Sequence, residues 1–388
     1  MTVPIVFIHR GSGGDFNYLN YAALQARLSN PDTAIYVIGD QAALESLVVP
    51  AVELIPLEGL VDSGLPLRSV YEHYRVNSAE YTLFCMERWF YLRAFMEREG
   101  FQRALHLDCD VMLYTDVSRE LGAVFDTCDL TLSLGHSTHT TSIRLTAVDR
   151  LCELMLATYR DSSKLGEIRD RWTKAEASGE RWEGVGDMYF IKQLGLESDL
   201  VVRETYKGHD PVFDGNIRKG IGYEMEGGIK RIVFKAGKPY GFHEVDGREQ
   251  RFATLHFQYT AKQHMPHFLH APPGSQVPGE FLANALRVTG VRFGEAGSAL
   301  VATREAGLCS VAEVEKMRGK VAKLNQQRSQ MLANLRKIGN SLDRVAGSAW
   351  LKAGSRLGVT KSGRMLSEIS ARLRSMQVES AGESDSGN

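Results

Sequence analysis

Apolar and polar positions along the first half of the chain repeat with two different periods. Short apolar runs at Ile5–His9, Ala34–Ile38, Val52–Pro56, Ala104–Leu107 and Leu130–Leu134 predict buried strands. Between them, Tyr18–Ser29, Gln41–Leu47 and Glu80–Glu99 place apolar residues at helical spacing. Strands alternating with helices predict an α/β fold with a mixed, mostly parallel sheet flanked by helices. From residue 205 to 258 the pattern shifts to Gly-punctuated short strands. IKRIVFKAGKPYGFHEV predicts a hairpin there and RFATLHFQY a further strand.

The Pro/Gly-rich stretch APPGSQVPG at 271–279 closes a predicted domain of residues 1–270 and opens an irregular linker over 271–310. Beyond it, Val314, Met317, Val321, Leu324, Met331, Leu335, Ile338, Leu342 and Val345 follow alternating steps of three and four, with Arg328 at the missing position. That seam predicts a coiled-coil helix over 311–346 and self-association through 314–345. Gly319 and Gly339 weaken it, each costing about 1 kcal/mol against Ala in a helix. Residues 311–375 hold 14 Lys and Arg against 4 Asp and Glu. The basic amphipathic segment 347–376 suits either an anionic membrane surface or the protein's own face. The polar end, 377–388, is expected to be disordered.

Composition narrows the function classes. The 388 residues are 43% hydrophobic and 24% charged with a net charge of −1, a balance that argues against nucleic-acid binding. The five cysteines, Cys85, Cys109, Cys128, Cys152 and Cys309, include no CxxC pair, so no disulfide framework or zinc ribbon is expected. The opening MTVPIVFIHRGSGGDF lacks a basic leader, and no apolar run reaches roughly 18 residues. The expectation is a cytoplasmic protein, at most peripheral at the inner membrane face.

Chemistry enters with ALHLDCDVMLYTDV, residues 104–117, an apolar run interrupted by Asp108 and Asp110. Carboxylates at i and i+2 fall on one side of the pleat, and ligands of open α/β sheets gather beyond the carboxyl ends of strands. Hard oxygen donors so placed suit Mg²⁺ or Mn²⁺ together with substrate phosphates. A turn and helix cap is the plainer explanation of the same residues.

The stretch resembles the DxD motif of GT-A-fold glycosyltransferases. The block ERWFYLRAFMEREGFQRALHLDCDVMLYTDV is similar to the helix-then-DxD block of the lipopolysaccharide-galactosyltransferase and glycogenin type. That resemblance implies an Arg on the helix reaching the donor, with Arg88 the better match and Arg93 the runner-up. Downstream, TLHFQYTAKQHM resembles the H-F-x-G-x-x-K-P-W motif of those enzymes. It implies His256 as third metal ligand and Lys262 as the cation on the donor diphosphate. Here Tyr259 replaces the Gly and Gln263-His264 replace Pro-Trp. The resemblance covers roughly residues 1–270. It implies a Mn²⁺- or Mg²⁺-dependent hexosyltransferase that moves a sugar from a nucleotide-diphosphate donor, UDP-linked, to a glycan or lipid-linked acceptor.

Other residues have paired readings. Gly11 and Gly13 begin a dinucleotide fingerprint that Phe16 breaks. The resemblance instead places His9, Arg10 and Gly11 near base and ribose, with Asp40 either beside them or capping the next helix. Asp187 in GVGDMYFIKQLG either caps a helix or faces the acceptor, as general base in an inverting enzyme or as a ligand of sugar hydroxyls in a retaining one. His136 and His139 lie in a polar loop that lines the sugar pocket or is only a loop. A haloacid-dehalogenase-like phosphatase also uses D-x-D, but its motif opens the domain, whereas about a hundred residues precede Asp108 here. A non-catalytic sugar-nucleotide-binding or coiled-coil scaffold protein is the remaining alternative.

Overall fold

Strand β1 (Ile5–His9) sends its side chains to both faces of a sheet, and the period of two sorts them into two cores. Ile5 and Phe7 join Ile35, Val37, Leu105 and Leu107 on one face, while Val6 and Ile8 join Tyr36 and Ile38 on the other. The computed structural model describes residues 3–11, 18–179, 184–197, 199–206 and 209–270, the backbone of 291–296 and 299–304, and residue 330.

The large sheet contains β1, β2 (Ile35–Gly39), β3 (Glu53–Pro56), β4 (Arg103–Leu107), β6 (Leu130–Leu132), β7 (Thr140–Arg144) and β8 (Val202–Glu204), in the order β3-β2-β1-β4-β7-β6-β8. Only β7 runs antiparallel to its neighbours, so the sheet is mixed and mostly parallel, as expected from the pattern. A second sheet takes β5 (Val111–Leu113), β9 (Val212–Phe213), β12 (Ile232–Lys235), β13 (Lys238–Phe242) and β14 (Glu249–His256). The intervening β10 (Met225–Glu226) and β11 (Ile229–Lys230) pair only with each other.

Helices occupy both faces of the large sheet. On one side lie α1 (Tyr18–Ser29), packed with the second sheet, and the short α2 (Gln41–Glu45), whereas the short α3 (Leu65–Arg68) buries Leu67 in the opposite core. On the other lie α4 (Ala79–Glu99) and, after the short α5 (Gly122–Asp126), the helices α6 (Leu145–Arg160), α7 (Ser162–Ser178) and α8 (Asp187–Glu197). Ser78 caps α4 by accepting from the Tyr81 N–H, and Gly100 ends it at φ +75°. Trp89, Phe90, Leu92, Phe95 and Met96 of α4 are fully buried, each worth about 1.5–3 kcal/mol. Glu87 in that same face is tolerated because Arg68 grips it with two bonds of 2.7 Å.

Three features depart from the sequence expectation. The apolar run through Asp108 and Asp110 is two strands, because β4 bonds to β1 and β7 whereas β5 bonds to β14. The polar segment TTSIR is a strand, β7, with Thr140, Thr141 and Ser142 fully buried and Ser142 N–H donating to Thr131 Oγ1 at 2.8 Å. Within the expected linker, 291–296 and 299–304 form an antiparallel hairpin.

The chain divides into two compact units, Met1–Ser310 and Val311–Asn388. The expected coil at 314–345, basic segment at 347–376 and tail at 377–388 lie outside the described residues, apart from residue 330, as do Gly13, Phe16 and Cys309. No helix among the described residues is long and apolar enough to cross a membrane.

Candidate active site

The exchange of the chain from one sheet to the other builds the site. After β4, the Asp108 N–H donates to His139 O at 2.8 Å and Asp108 O accepts from the Val111 N–H at 3.0 Å, a tight turn carrying Asp108 and Asp110. Then β5 pairs antiparallel with β14 in a register that sets Val111 opposite His256. The Phe257 N–H bonds Asp110 O at 2.9 Å across the same pair. His256 Nε2 therefore stands 3.4 Å from Asp110 Oδ1. One ligand atom each from Asp108, Asp110 and His256 lie within 4.8 Å of one another.

The imidazole is held from behind. Nδ1 of His256 lies 3.0 Å from Gly215 O, and its backbone N–H donates to Asp214 Oδ2 at 3.1 Å. A carbonyl only accepts, so Nδ1 carries the proton and Nε2 faces the carboxylates, the orientation a metal-binding histidine needs. Lys230 and Asp214, both wholly buried, form an ion pair at 2.8 Å behind this bond. The His139 ring meets His256 edge-on with centroids 4.2 Å apart.

Arg88 governs the other carboxylate. Its Nη1 donates to Asp108 Oδ1 and its Nη2 to Asp187 Oδ2, both at 2.6 Å, with Thr138 Oγ1 a further 3.4 Å contact. Burial alone would raise the Asp108 acid, but the Arg88 charge and the His106 bond outweigh it and hold the group well below the usual carboxylate range. Lys262 Nζ sits 3.2 Å from Asp110 Oδ2 and 3.9 Å from the Tyr18 ring centroid. Its ammonium is disfavoured by burial yet lifted above its ordinary value by Asp110. Burial likewise pulls His256 down, and Asp110, joined by Asp108 and Asp214, more than reverses the shift.

These groups open on a cleft of about 410 Å³ lined by Asp108, Asp110, His256 and Lys262. Asn77, Ser78, Tyr81, Gln258 and Tyr259 complete its lining. The donor set contains two carboxylates and one imidazole, which suits Mn²⁺ or Mg²⁺.

The remaining sequence-predicted residues fall around this centre. Arg88 reaches Asp108, whereas Arg93 pairs with Asp149 at 3.2 Å. Asp40 caps α2 through the Ala43 N–H at 3.0 Å, the plainer of its two readings, and it also accepts from the Gly11 N–H at 2.9 Å, just after β1. Gly11 itself has φ +82°. His9 is buried, edge-on to Tyr18, and its Nε2 has no hydrogen-bond partner among the described residues. Arg10 is partly exposed, 3.8 Å from Glu80. Asp187 begins α8 and is 4% exposed, its carboxylate taken by Arg88 and by Trp89 Nε1 at 3.4 Å. His136 is exposed, and His139 is buried against His256. Asp214, Gly215, Lys230 and Thr138 escaped sequence reading because nothing local in their short strands and loops distinguishes them.

No family model matches the chain, and no curated protein matches it. Among solved structures it is similar to mouse xyloside xylosyltransferase 1, with 13% identity and a TM-score of 0.38 over 54% of this chain and 87% of that one. A glycosyltransferase of Streptococcus pneumoniae, GlyE, matches with 13% identity and a TM-score of 0.29, over 53% of this chain and 45% of that one. The galactosyltransferase LgtC, in complex with donor and acceptor sugar analogues, matches with 14% identity and a TM-score of 0.29 over 53% and 73%.

Proposed function

We propose that the chain is a metal-dependent glycosyltransferase of the hexosyltransferase type. It would move a sugar from a nucleotide-diphosphate donor, UDP-linked, to a glycan or lipid-linked acceptor. The observation that carries this reading is the meeting of Asp108, Asp110 and His256 within 4.8 Å, in the same cleft as Lys262. Asp108, Asp110 and His256 would hold Mn²⁺ or Mg²⁺. A divalent cation supplies stabilisation of negative charge on diphosphate oxygens.

The chain's own residues do the rest. As the bond from the anomeric carbon to the diphosphate breaks, the electron pair leaves with the diphosphate. Lys262, kept charged beside Asp110, offers that group a positive neighbour. The acceptor oxygen forms the new bond to the anomeric carbon, and its proton passes to the diphosphate oxygen that the breaking donor bond releases. Arg88 keeps Asp108 ionised and aimed, and Asp187 anchors Arg88, a task its burial favours over that of a base at the acceptor. The Asp40 tie to Gly11 shapes the segment after β1 where base and ribose would lie, with His9 and Arg10 beside it. Self-association through 314–345 and attachment of the basic 347–376 segment to the inner membrane face complete the proposal, on sequence pattern and charge alone.

A thermal-shift screen of UDP-, GDP- and CMP-sugars with Mn²⁺ tests the reading. A matching donor stabilises the protein by about 2.7 kcal/mol at a hundredfold excess over Kd. Absence of any shift across the three nucleotides would remove the basis for it.

A further inference from the structure

Five non-glycine residues among those described have positive φ, and Tyr259, at +53°, is the one lining the carboxylate cleft. A left-handed backbone is costly for any residue with a Cβ and is where glycine is at home. Tyr259 is 77% exposed. Glycine would serve the backbone better here, and residues held in such sparsely populated conformations cluster at ligand-binding sites. Tyr81, in the first turn of α4, is a second large aromatic lining the same cleft, 58% exposed.

We infer that Tyr81 and Tyr259 form the aromatic lining of a subsite for a pyranose ring of the acceptor. The polar groups beside them are neutral: Asn77, Ser78 and Gln258, the last with its amide oxygen held by Asn216 at 2.5 Å. Amides and hydroxyls both donate and accept, matching sugar hydroxyls, while tyrosine faces match the C–H faces of a pyranose. The charged groups of the same lining, Asp108, Asp110 and Lys262, suit a metal-bound diphosphate rather than a neutral sugar. A pyranose in this cleft would share it with the carboxylates that Asp108 and Asp110 contribute. This subsite rests on the glycosyltransferase reading.

The test applies the full chain, with Mn²⁺, to an array of pyranose-terminated oligosaccharides. The wild type retains one structural class of glycan. Tyr259→Phe keeps that binding, while Tyr259→Gly and Tyr81→Ala weaken it at least tenfold. Tyr259→Gly melts no lower than the wild type, because the left-handed backbone is relieved as the ring is lost. Retention of no glycan by the wild type, or equal binding by Tyr259→Gly, overturns the inference. So does a fall in melting temperature accompanying the loss of binding, which would make the ring structural. The donor-induced melting shift of the wild type is read separately, so the subsite can fail while the transferase reading survives.

Discussion

The ammonium of Lys230 lies 2.8 Å from Asp214 Oδ1 with both side chains wholly buried, and the other oxygen of Asp214 accepts the backbone N–H of His256. Lys230 also donates to the carbonyls of Asn216 at 2.6 Å and Lys219 at 2.5 Å, so its charge is fully partnered. Removing one member of a buried pair leaves the other charge stranded, at about 3–5 kcal/mol. Lys230→Met is therefore expected to lower unfolding stability by that amount in a urea titration. The double variant Lys230→Met with Asp214→Leu should recover part of the loss, since no charge is then left unpaired although the His256 N–H loses its acceptor. Equal stability of the single variant and the wild type would contradict the pairing.

Arg88 joins Asp108 to Asp187. Arg88→Lys keeps one charge but cannot fork to both carboxylates. It is expected to reduce donor turnover by about tenfold to a hundredfold while the far-ultraviolet spectrum is preserved, the size of effect seen when a residue orienting a metal ligand is lost. Asp187→Asn should weaken turnover in the same direction. If Asp187 were instead the base at the acceptor, it would abolish transfer while leaving donor hydrolysis untouched.

His270 stacks on Phe234 with centroids 3.5 Å apart, and burial pushes its pKa from 6.5 down to about 4. The folded value is the lower one, so the unfolded chain takes up the proton first. The stability contribution is complete above pH 6.5 and lost as pH falls toward 4. Its Nδ1 is buried without a partner among the described residues, so phenylalanine fits the site. His270→Phe is expected to show a smaller fall in melting temperature between pH 7 and pH 4.5 than the wild type; identical falls would exclude the effect.

Gly184 precedes α8, and a Cβ there would stand 2.7 Å from Tyr74 O and 2.8 Å from Arg75 Cα, both backbone atoms. Neither neighbour can rotate away. Gly184→Ala is expected to cost about 1–3 kcal/mol, as overpacking of a filled site does. Because the loop leads directly into Asp187, it should also lower turnover. Unchanged melting temperature would show that the loop moves freely.

The sequence was legible where one period dominated. Ile5–His9 and Tyr18–Ser29 stand where the apolar spacing places them, because each buries a face that its own pattern declares. The break at Asp108 was hidden inside a continuous apolar run, since only the partners of β4 and β5, distant in sequence, tell two strands from one. TTSIR escaped because its buried polar side chains are satisfied across strands, as Thr131 does for Ser142. In the site, Asp108, Asp110 and His256 were visible through their motifs. Asp214 and Lys230 were not, because a buried pair formed between two short segments leaves no periodic trace. Asp187 was placed at its helix start, but its bond to Arg88 is a tertiary fact.

The most direct measurement is a Mn²⁺ titration followed by the electron paramagnetic resonance signal of the free ion, on the wild type, Asp110→Asn and His256→Ala, each with UDP present. The prediction is one saturable Mn²⁺ site in the wild type, weakened at least tenfold in both variants, whose circular dichroism stays that of the folded protein. Wild-type binding that is absent, or that survives undiminished in both variants, would contradict a cation clasped between the β4–β5 turn and the end of β14.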